Sequence, residues 1–361
     1  VPRRHEIDCG KGFVLGDVMT AASGYELATG SLIGSYRIIR EIGHGGMGTV
    51  YECKHVVLPR RAAVKVMHRD LLRLPGMTTR VVQEATILED LHHAGLARVF
   101  ECNLLPDRRP YIAMELVEGE TLAERLRYGT LAPAEACALI ADLADVLGTA
   151  HDGGVIHRDL KPDNIILTPQ DDYPLRVVDW GVARLESIGR LTLEGLTPGT
   201  PIYMSPEQAT GGPVGPACDV YSLGVVAYEA LCGKPPFDGR TLVEIVCQHL
   251  SGKAPRLEAL CDAPLGLCRL VHQMLDKEPS LRPDTIEIRR IAHALARDLD
   301  DAYESYQLED AKPRHVVAPE TLERGTTERM PALRRPRWTP EIAAVPPLLA
   351  ASALQTLGKE R

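Results

Sequence analysis

From residue 36 the apolar residues come in short runs, 36–42, 49–53 and 62–67, set apart by Gly- and Pro-containing turns, which predicts an antiparallel meander. Between residues 78 and 91 the period changes. Val81, Val82, Ala85, Leu88 and Leu91 recur at helical spacing and predict one helix interrupting the strands. A further apolar run at 111–117 predicts a last strand before the turn Glu118-Gly119. Beyond it the pattern is mostly helical. Residues 133–151 set Ala136, Leu139, Ile140, Leu143, Val146, Leu147 and Ala150 on one face. Residues 217–231 are apolar almost all round, as a buried central helix requires. The order is that of an α+β chain, with a small antiparallel sheet and one helix first and a mainly helical region after it.

The two ends carry no such period. Residues 1–34 hold Gly10, Gly12, Gly16, Gly24, Gly30 and Gly34 and read as a flexible leader. In residues 301–361 Pro and charged residues alternate, which reads as a tail without a packed core. Within the tail, 342–357 is uncharged and follows the basic cluster Arg334, Arg335 and Arg337. It falls short of the ~20 apolar residues that span a bilayer and contains Pro346 and Pro347, so the reading disfavours a membrane anchor. For the basic cluster, a solvated charge run is the commoner explanation than a membrane contact.

Composition narrows the function further. The 361 residues are 45% hydrophobic and 25% charged, enough for a sizeable core. With 41 Lys and Arg against 49 Asp and Glu the net charge is −8, so no basic field favours a nucleic-acid partner. The 9 cysteines are odd in number and never spaced C-x-x-C, which points to a reduced, cytoplasmic setting without a cysteine zinc site. The first residues lack the apolar stretch of a secretory signal.

Four stretches carry chemistry. Gly43, Gly45, Gly48 and Val50, with Gly46 between, satisfy G-x-G-x-x-G-x-V between two predicted strands, whereas a dinucleotide-binding fingerprint would need a following helix. Such a hairpin lets backbone N–H groups approach phosphates, although an isolated match is as well explained by a hairpin without a ligand. Lys65 ends a strand-like run and Glu84 falls in the next helix; a carboxylate can hold a lysine against phosphates, while two solvated charges are the bland alternative. The run from His157 to Asn164 puts Asp159 and Asn164 in one loop, at a spacing that suits a base and a metal ligand. Asp179 then follows a strand at 175–178 and precedes Gly181, where a carboxylate can reach Mg²⁺ as the chain turns away. A turn-forming Asp explains either motif singly, but poorly explains both.

These motifs continue in order with Gly199-Thr200-Pro201-Ile202-Tyr203-Met204-Ser205-Pro206-Glu207, with Asp219 to Gly224 and with Arg282. The sequence resembles the eukaryotic-type protein kinases over about residues 36–300. Its Gly-Gly-Met-Gly loop and Tyr-Met-Ser-Pro-Glu-Gln segment are most similar to the bacterial serine/threonine branch. The resemblance implies a bilobal fold, with a five-stranded N-terminal sheet and one helix at 35–117 and a helical lobe at 118–300. It also implies transfer of the ATP γ-phosphate to Ser or Thr of protein substrates, with ATP and Mg²⁺ as cofactors.

Residue by residue, the resemblance implies that Ile42, Gly43, Gly45, Gly46, Gly48 and Val50 cover ATP. Lys65 would hold its phosphates and pair with Glu84. Ala63 and Leu167 would flank the adenine, Glu115 and Val117 would offer backbone groups, and Met114 would be the gatekeeper. Asp159 would accept or orient the hydroxyl proton, Lys161 would contact the γ-phosphate, and Asn164 and Asp179 would hold Mg²⁺. Lys161 and Thr200 match the Ser/Thr pattern, Glu207 and Arg282 would form a buried ion pair, and Asp219 would brace the catalytic loop. Arg158 would receive a phosphate placed on Thr192 or Thr197, and a homodimer during autophosphorylation is compatible with the resemblance. Two residues depart from the family pattern: Trp180 stands where Phe is usual, with a ring N–H that needs a partner, and Ser205 where Ala is usual. With all of Lys65, Asp159, Asn164 and Asp179 present, a catalytically dead relative is disfavoured, and the full activation segment disfavours a small-molecule phosphotransferase.

Overall fold

The computed structural model describes residues 27–73, 76–168, 171–180 and 200–310. Thr192, Thr197, Gly181 and most of the leader and tail lie outside the described residues. The first half of the fold is a sheet of β1 (Leu32–Ile33), β2 (Tyr36–Gly45), β3 (Gly48–His55), β4 (Arg61–Met67), β5 (Val99–Leu104) and β6 (Pro110–Glu115). The strand order is β1-β2-β3-β4-β6-β5, antiparallel throughout. Helix α1 (Met77–Asp90) interrupts the meander between β4 and β5, burying Met77, Val81, Ala85 and Leu88.

Strand alternation divides the sheet into two faces. Tyr51, Val64, Val66, Tyr111 and Ala113 point to an outer core that includes Ile33 and Tyr36. Lys65, Met67 and Ile112 point the other way, and Met67 and Ile112 join the large core shared with the helical half. The sheet has six strands instead of the expected five. The extra one, β1, lies inside the stretch read as leader. Two residues give no alternation to read, yet Ile33 is fully buried and β1 folds back on β2 at Tyr36.

The helical half follows with β7 (Glu120–Thr121), α2 (Leu122–Leu126), α3 (Pro133–Asp152), β8 (Ile165–Leu167) and β9 (Leu175–Val177). Then come α4 (Pro206–Thr210), α5 (Pro216–Cys232), α6 (Leu242–Ser251), α7 (Leu265–Met274) and α8 (Thr285–Asp310). Helix α5 is buried along most of its length, as its all-round apolar sequence requires. Gly224 inside it is a packing requirement, since a Cβ there would come within 2.9 Å of the Met274 side chain. Helix α8 packs along α3 and continues to Asp310, past the boundary expected at 300. No Pro or Gly occurs between Thr285 and Pro313, so nothing in the covalent chain stops it sooner. Among the described residues no helix is long and apolar enough to cross a membrane, and the eight cysteines are all free.

Candidate active site

The site forms where the sheet meets the loops of the helical half. Register sets Gly43, Val50, Lys65 and Ile112 in one row across β2, β3, β4 and β6, so their side positions share the inner face. Ala63 and Met114 form the next paired row, and Glu115 donates its N–H to the Arg98 carbonyl at 2.8 Å while its carboxylate accepts from the Arg98 N–H at 3.2 Å, as the strand leads out to Val117. Ile42 is exposed on the hairpin, and Leu167 is buried on β8. Behind Met114 lies a small cavity lined by Lys65, Leu88, Val99, Asp179 and Trp180, of which Leu88 was marked only by its place in the helical period and Val99 by no signal beyond being apolar.

The hairpin glycines differ in what demands them. A Cβ on Gly48 would collide with the Val66 carbonyl, so the packing of β3 on β4 requires it. Gly43 and Gly45 have no such neighbour: added carbons would meet nothing closer than 3.8 Å. Their lack of side chains leaves open space beside the backbone.

The catalytic-loop segment is held by a buried carboxylate. Asp219, fully buried on α5, accepts from the His157 N–H at 2.8 Å and the Arg158 N–H at 2.7 Å, and its Oδ2 lies 2.8 Å from His151 Nε2. Burial alone would raise its carboxyl, but hydrogen bonding and charge from His151, together with the Arg158 N–H, hold it below the ordinary carboxylate range. These bonds keep Arg158 at φ 63°, one of three non-glycine residues with positive φ among those described; Asp179, at φ 58°, is another. His157 Nε2 donates to the Val178 carbonyl at 3.1 Å and Nδ1 accepts from the Asp159 N–H at 3.2 Å. Burial disfavours its protonated form, as this pattern of one donor and one acceptor requires.

Asp159, Lys161 and Asn164 are thereby collected. Lys161 Nζ is 3.5 Å from the Asp159 carboxylate, and the Asn164 amide donates to the Asp159 carbonyl at 2.9 Å. Val178 N–H donates to the Asn164 carbonyl at 2.9 Å, fastening the loop to the strand that ends in Asp179. Burial alone would push the Asp179 carboxyl up; the Lys65 ammonium in contact with it, helped by Lys161, holds it below its usual range.

In this structure that contact takes the place of the expected Lys65–Glu84 pair. Lys65 pairs with Asp179, and Glu84 on α1 lies 3.4 Å from Arg158. The physical reason is charge compensation: the buried ammonium meets the partly exposed Asp179 carboxylate, and the Arg158 guanidinium meets the carboxylate of α1. Arg158, expected to receive a phosphate, is thus engaged with Glu84. Burial pushes the Glu84 carboxyl up from 4.5 to about 7, with Arg158 and Arg80 offsetting only part. A folded-state value above the unfolded one means the folded chain holds that proton more tightly, so stability falls as pH rises from about 4.5 to about 7. Thermal unfolding across that window is expected to show the descent, and Glu84→Gln to flatten it; an unchanged slope in the variant would assign it to other groups.

Both departures from the family pattern have partners. Trp180 is buried, donates its indole N–H to the Val177 carbonyl at 3.1 Å and lies 4.7 Å from the His157 ring. Ser205 caps α4, its hydroxyl accepting from the Gln208 N–H while Gln208 Oε1 accepts from the Ser205 N–H. Gln208 also donates to the Arg158 carbonyl at 2.8 Å, a link to the catalytic loop that the sequence reading missed; the capping box Ser205-x-x-Gln208 was its only trace. Arg282 donates to both Glu207 oxygens, at 2.7 and 2.9 Å, and Thr200 begins the short 3₁₀ turn leading to Ser205.

A sheet lobe whose lysine reaches down to an aspartate of a helical lobe, above a loop braced from the central helix, is the architecture of a two-lobed protein kinase. Residues 36–294 match the family described as "Protein kinase domain", and the chain belongs to that family. It is 38% identical over 287 residues to serine/threonine-protein kinase pkn2 of Myxococcus xanthus, covering 77% of this chain and 34% of that one. It is 37% identical over 257 residues to serine/threonine-protein kinase PknA of Mycobacterium tuberculosis, covering 70% and 59%. The chain therefore spans about a third to three fifths of these relatives. Among solved structures, the M. tuberculosis PknI kinase domain superposes with a TM-score of 0.61 at 25% identity, over 76% of this chain and 100% of that one.

Proposed function

We propose that the protein is a serine/threonine protein kinase that transfers the ATP γ-phosphate to hydroxyls of protein substrates and phosphorylates its own activation segment at Thr192 or Thr197. The observation that carries this reading is the meeting of Lys65, from the sheet, with Asp179, beside a loop that holds Asp159, Lys161 and Asn164 together. The pkn2 and PknA names support the choice of Ser and Thr as acceptors.

The residues fit both cofactors. The open space beside Gly43 and Gly45 admits phosphates to the hairpin backbone. Asp179 offers a carboxylate and Asn164 an amide oxygen, its amide nitrogen being committed to Asp159, a donor set of hard oxygens suited to Mg²⁺. Bound there, Mg²⁺ would neutralise charge on the phosphates. For Lys65 to reach the α- and β-phosphates it must leave Asp179, and Glu84 must leave Arg158 to hold it. Asp159 then orients the acceptor hydroxyl and takes its proton as the oxygen bonds to the γ-phosphorus and the bond to the β-phosphate oxygen breaks. Lys161, beside Asp159, offsets charge on the transferred group.

The test is phosphate incorporation by the purified protein with Mg²⁺-ATP and a generic Ser/Thr protein substrate, with the sites mapped by mass spectrometry. Phosphate on Thr192 or Thr197, at a rate per molecule that rises with protein concentration, is the expected result for transfer between two copies. Nucleotide binding without any transfer would overturn the reading in favour of a binding module.

A further inference from the structure

The glycine-rich hairpin carries a histidine, His44, that contact with phosphates does not call for, and a second, His68, follows the end of β4. The fold brings both to one hydroxyl. His44 Nδ1 lies 3.1 Å and His68 Nε2 3.4 Å from Thr49 Oγ1, with the two rings 5.1 Å apart. Thr49 is 1% exposed, so its hydroxyl is cut off from water and depends on these rings for its hydrogen bonds. A hydroxyl can donate to one ring nitrogen while accepting from the other. His68 is also hydrogen-bonded to the Gly46 backbone, and its own N–H donates to the Met47 carbonyl at 3.0 Å. Positions 44, 46, 47 and 49 of the hairpin are thus tied to the residue that follows β4.

The register shows what this cluster cannot do. Thr49 stands opposite His44 on one side and Val66 on the other, and Val66 belongs to the outer core. Val50 stands opposite Lys65, on the inner face. The hydroxyl and its histidines therefore sit behind the hairpin, away from anything bound beneath it.

We propose that His44, Thr49 and His68 form a side-chain latch that positions the glycine-rich hairpin over the nucleotide phosphates, an inference that rests on the nucleotide-binding reading given above. Glycines free the hairpin backbone to adopt many conformations, and ordering it on binding costs affinity. A latch that restricts the hairpin beforehand lowers that cost without touching the ligand. All three are positioning residues, and their effect belongs in nucleotide affinity rather than in the rate of transfer.

Thr49→Val keeps the β-branched shape and removes the hydroxyl, Thr49→Ser keeps the hydroxyl, and His44→Ala alters a side chain that is about half exposed. Calorimetry with Mg²⁺-ATP is expected to show binding weakened about fivefold to tenfold by Thr49→Val and by His44→Ala, with Thr49→Ser close to wild type. The turnover number at saturating ATP should stay within about twofold in all three. Amide exchange across residues 43–49 of the unliganded protein should quicken in the two weakened variants and not in Thr49→Ser. Wild-type affinity and wild-type exchange in Thr49→Val would overturn the latch, and His44→Ala decides the matter if Thr49→Val fails to fold. A wild-type protein that binds no nucleotide would overturn the nucleotide reading; the exchange comparison then still decides whether the three side chains hold the hairpin.

Discussion

Asp159→Asn is expected to lower phosphate transfer by about a hundredfold to ten-thousandfold, the range lost when a positioned proton acceptor is removed, while leaving nucleotide affinity within a few-fold. The substitution keeps the size and shape of the side chain. It also keeps the backbone bonds that set the loop, the Asp159 N–H on His157 Nδ1 and the Asp159 carbonyl under the Asn164 amide. What it removes is the negative charge beside Lys161 and, with it, the carboxylate proposed to accept the hydroxyl proton. Single-turnover transfer measured beside equilibrium nucleotide binding separates the two quantities. A variant whose nucleotide affinity falls as far as its rate would show that Asp159 acts in binding, against the role assigned to it.

Arg282→Met is expected to destabilise the fold by about 3–5 kcal/mol, because it strips one partner from a buried pair and leaves the other uncompensated. The Arg282 side chain is 0% exposed and Glu207 only 10%. Its guanidinium also donates to the carbonyls of Ala217 at 2.7 Å, Asp276 at 2.8 Å and Lys277 at 3.2 Å, so three backbone acceptors lose a donor together with the carboxylate. Those bonds join the end of the activation segment, the start of α5 and the turn before α8. Denaturant unfolding measures the effect. Adding Glu207→Gln should recover part of the loss by discharging the stranded carboxylate, and a loss below about 1 kcal/mol for Arg282→Met would mean the pair is solvated in practice.

Much of the fold was legible because its signals are local. The helical spacing over 78–91 matches α1 at Met77–Asp90, and the all-round apolar run at 217–231 matches the buried α5 at Pro216–Cys232. Strand β5 was missed, since Val99–Leu104 includes Glu101 and Asn103 and lies at the sheet edge with no fully buried residue. Strand β1 and the end of α8 lie outside the expected bounds of 35–300 for related reasons: two residues carry no period, and the charged sequence from 301 to 310 has no apolar stripe to read.

By itself the sequence determined which chemical groups the protein owns and in what order, because motifs such as His157 to Asn164 are contiguous and their spacing survives in any fold. It also determined the longer, strongly periodic elements, such as α1 and α5, because the period of 3.6 is a property of the chain. Only the tertiary structure decided which group meets which. Lys65 and Asp179 are 114 residues apart, Arg158 and Glu84 are 74, and His44 and His68 converge on Thr49 only because three strands lie side by side. A charge or hydroxyl removed from water takes the complementary partner that packing brings within reach, and that choice is made between elements rather than along the chain.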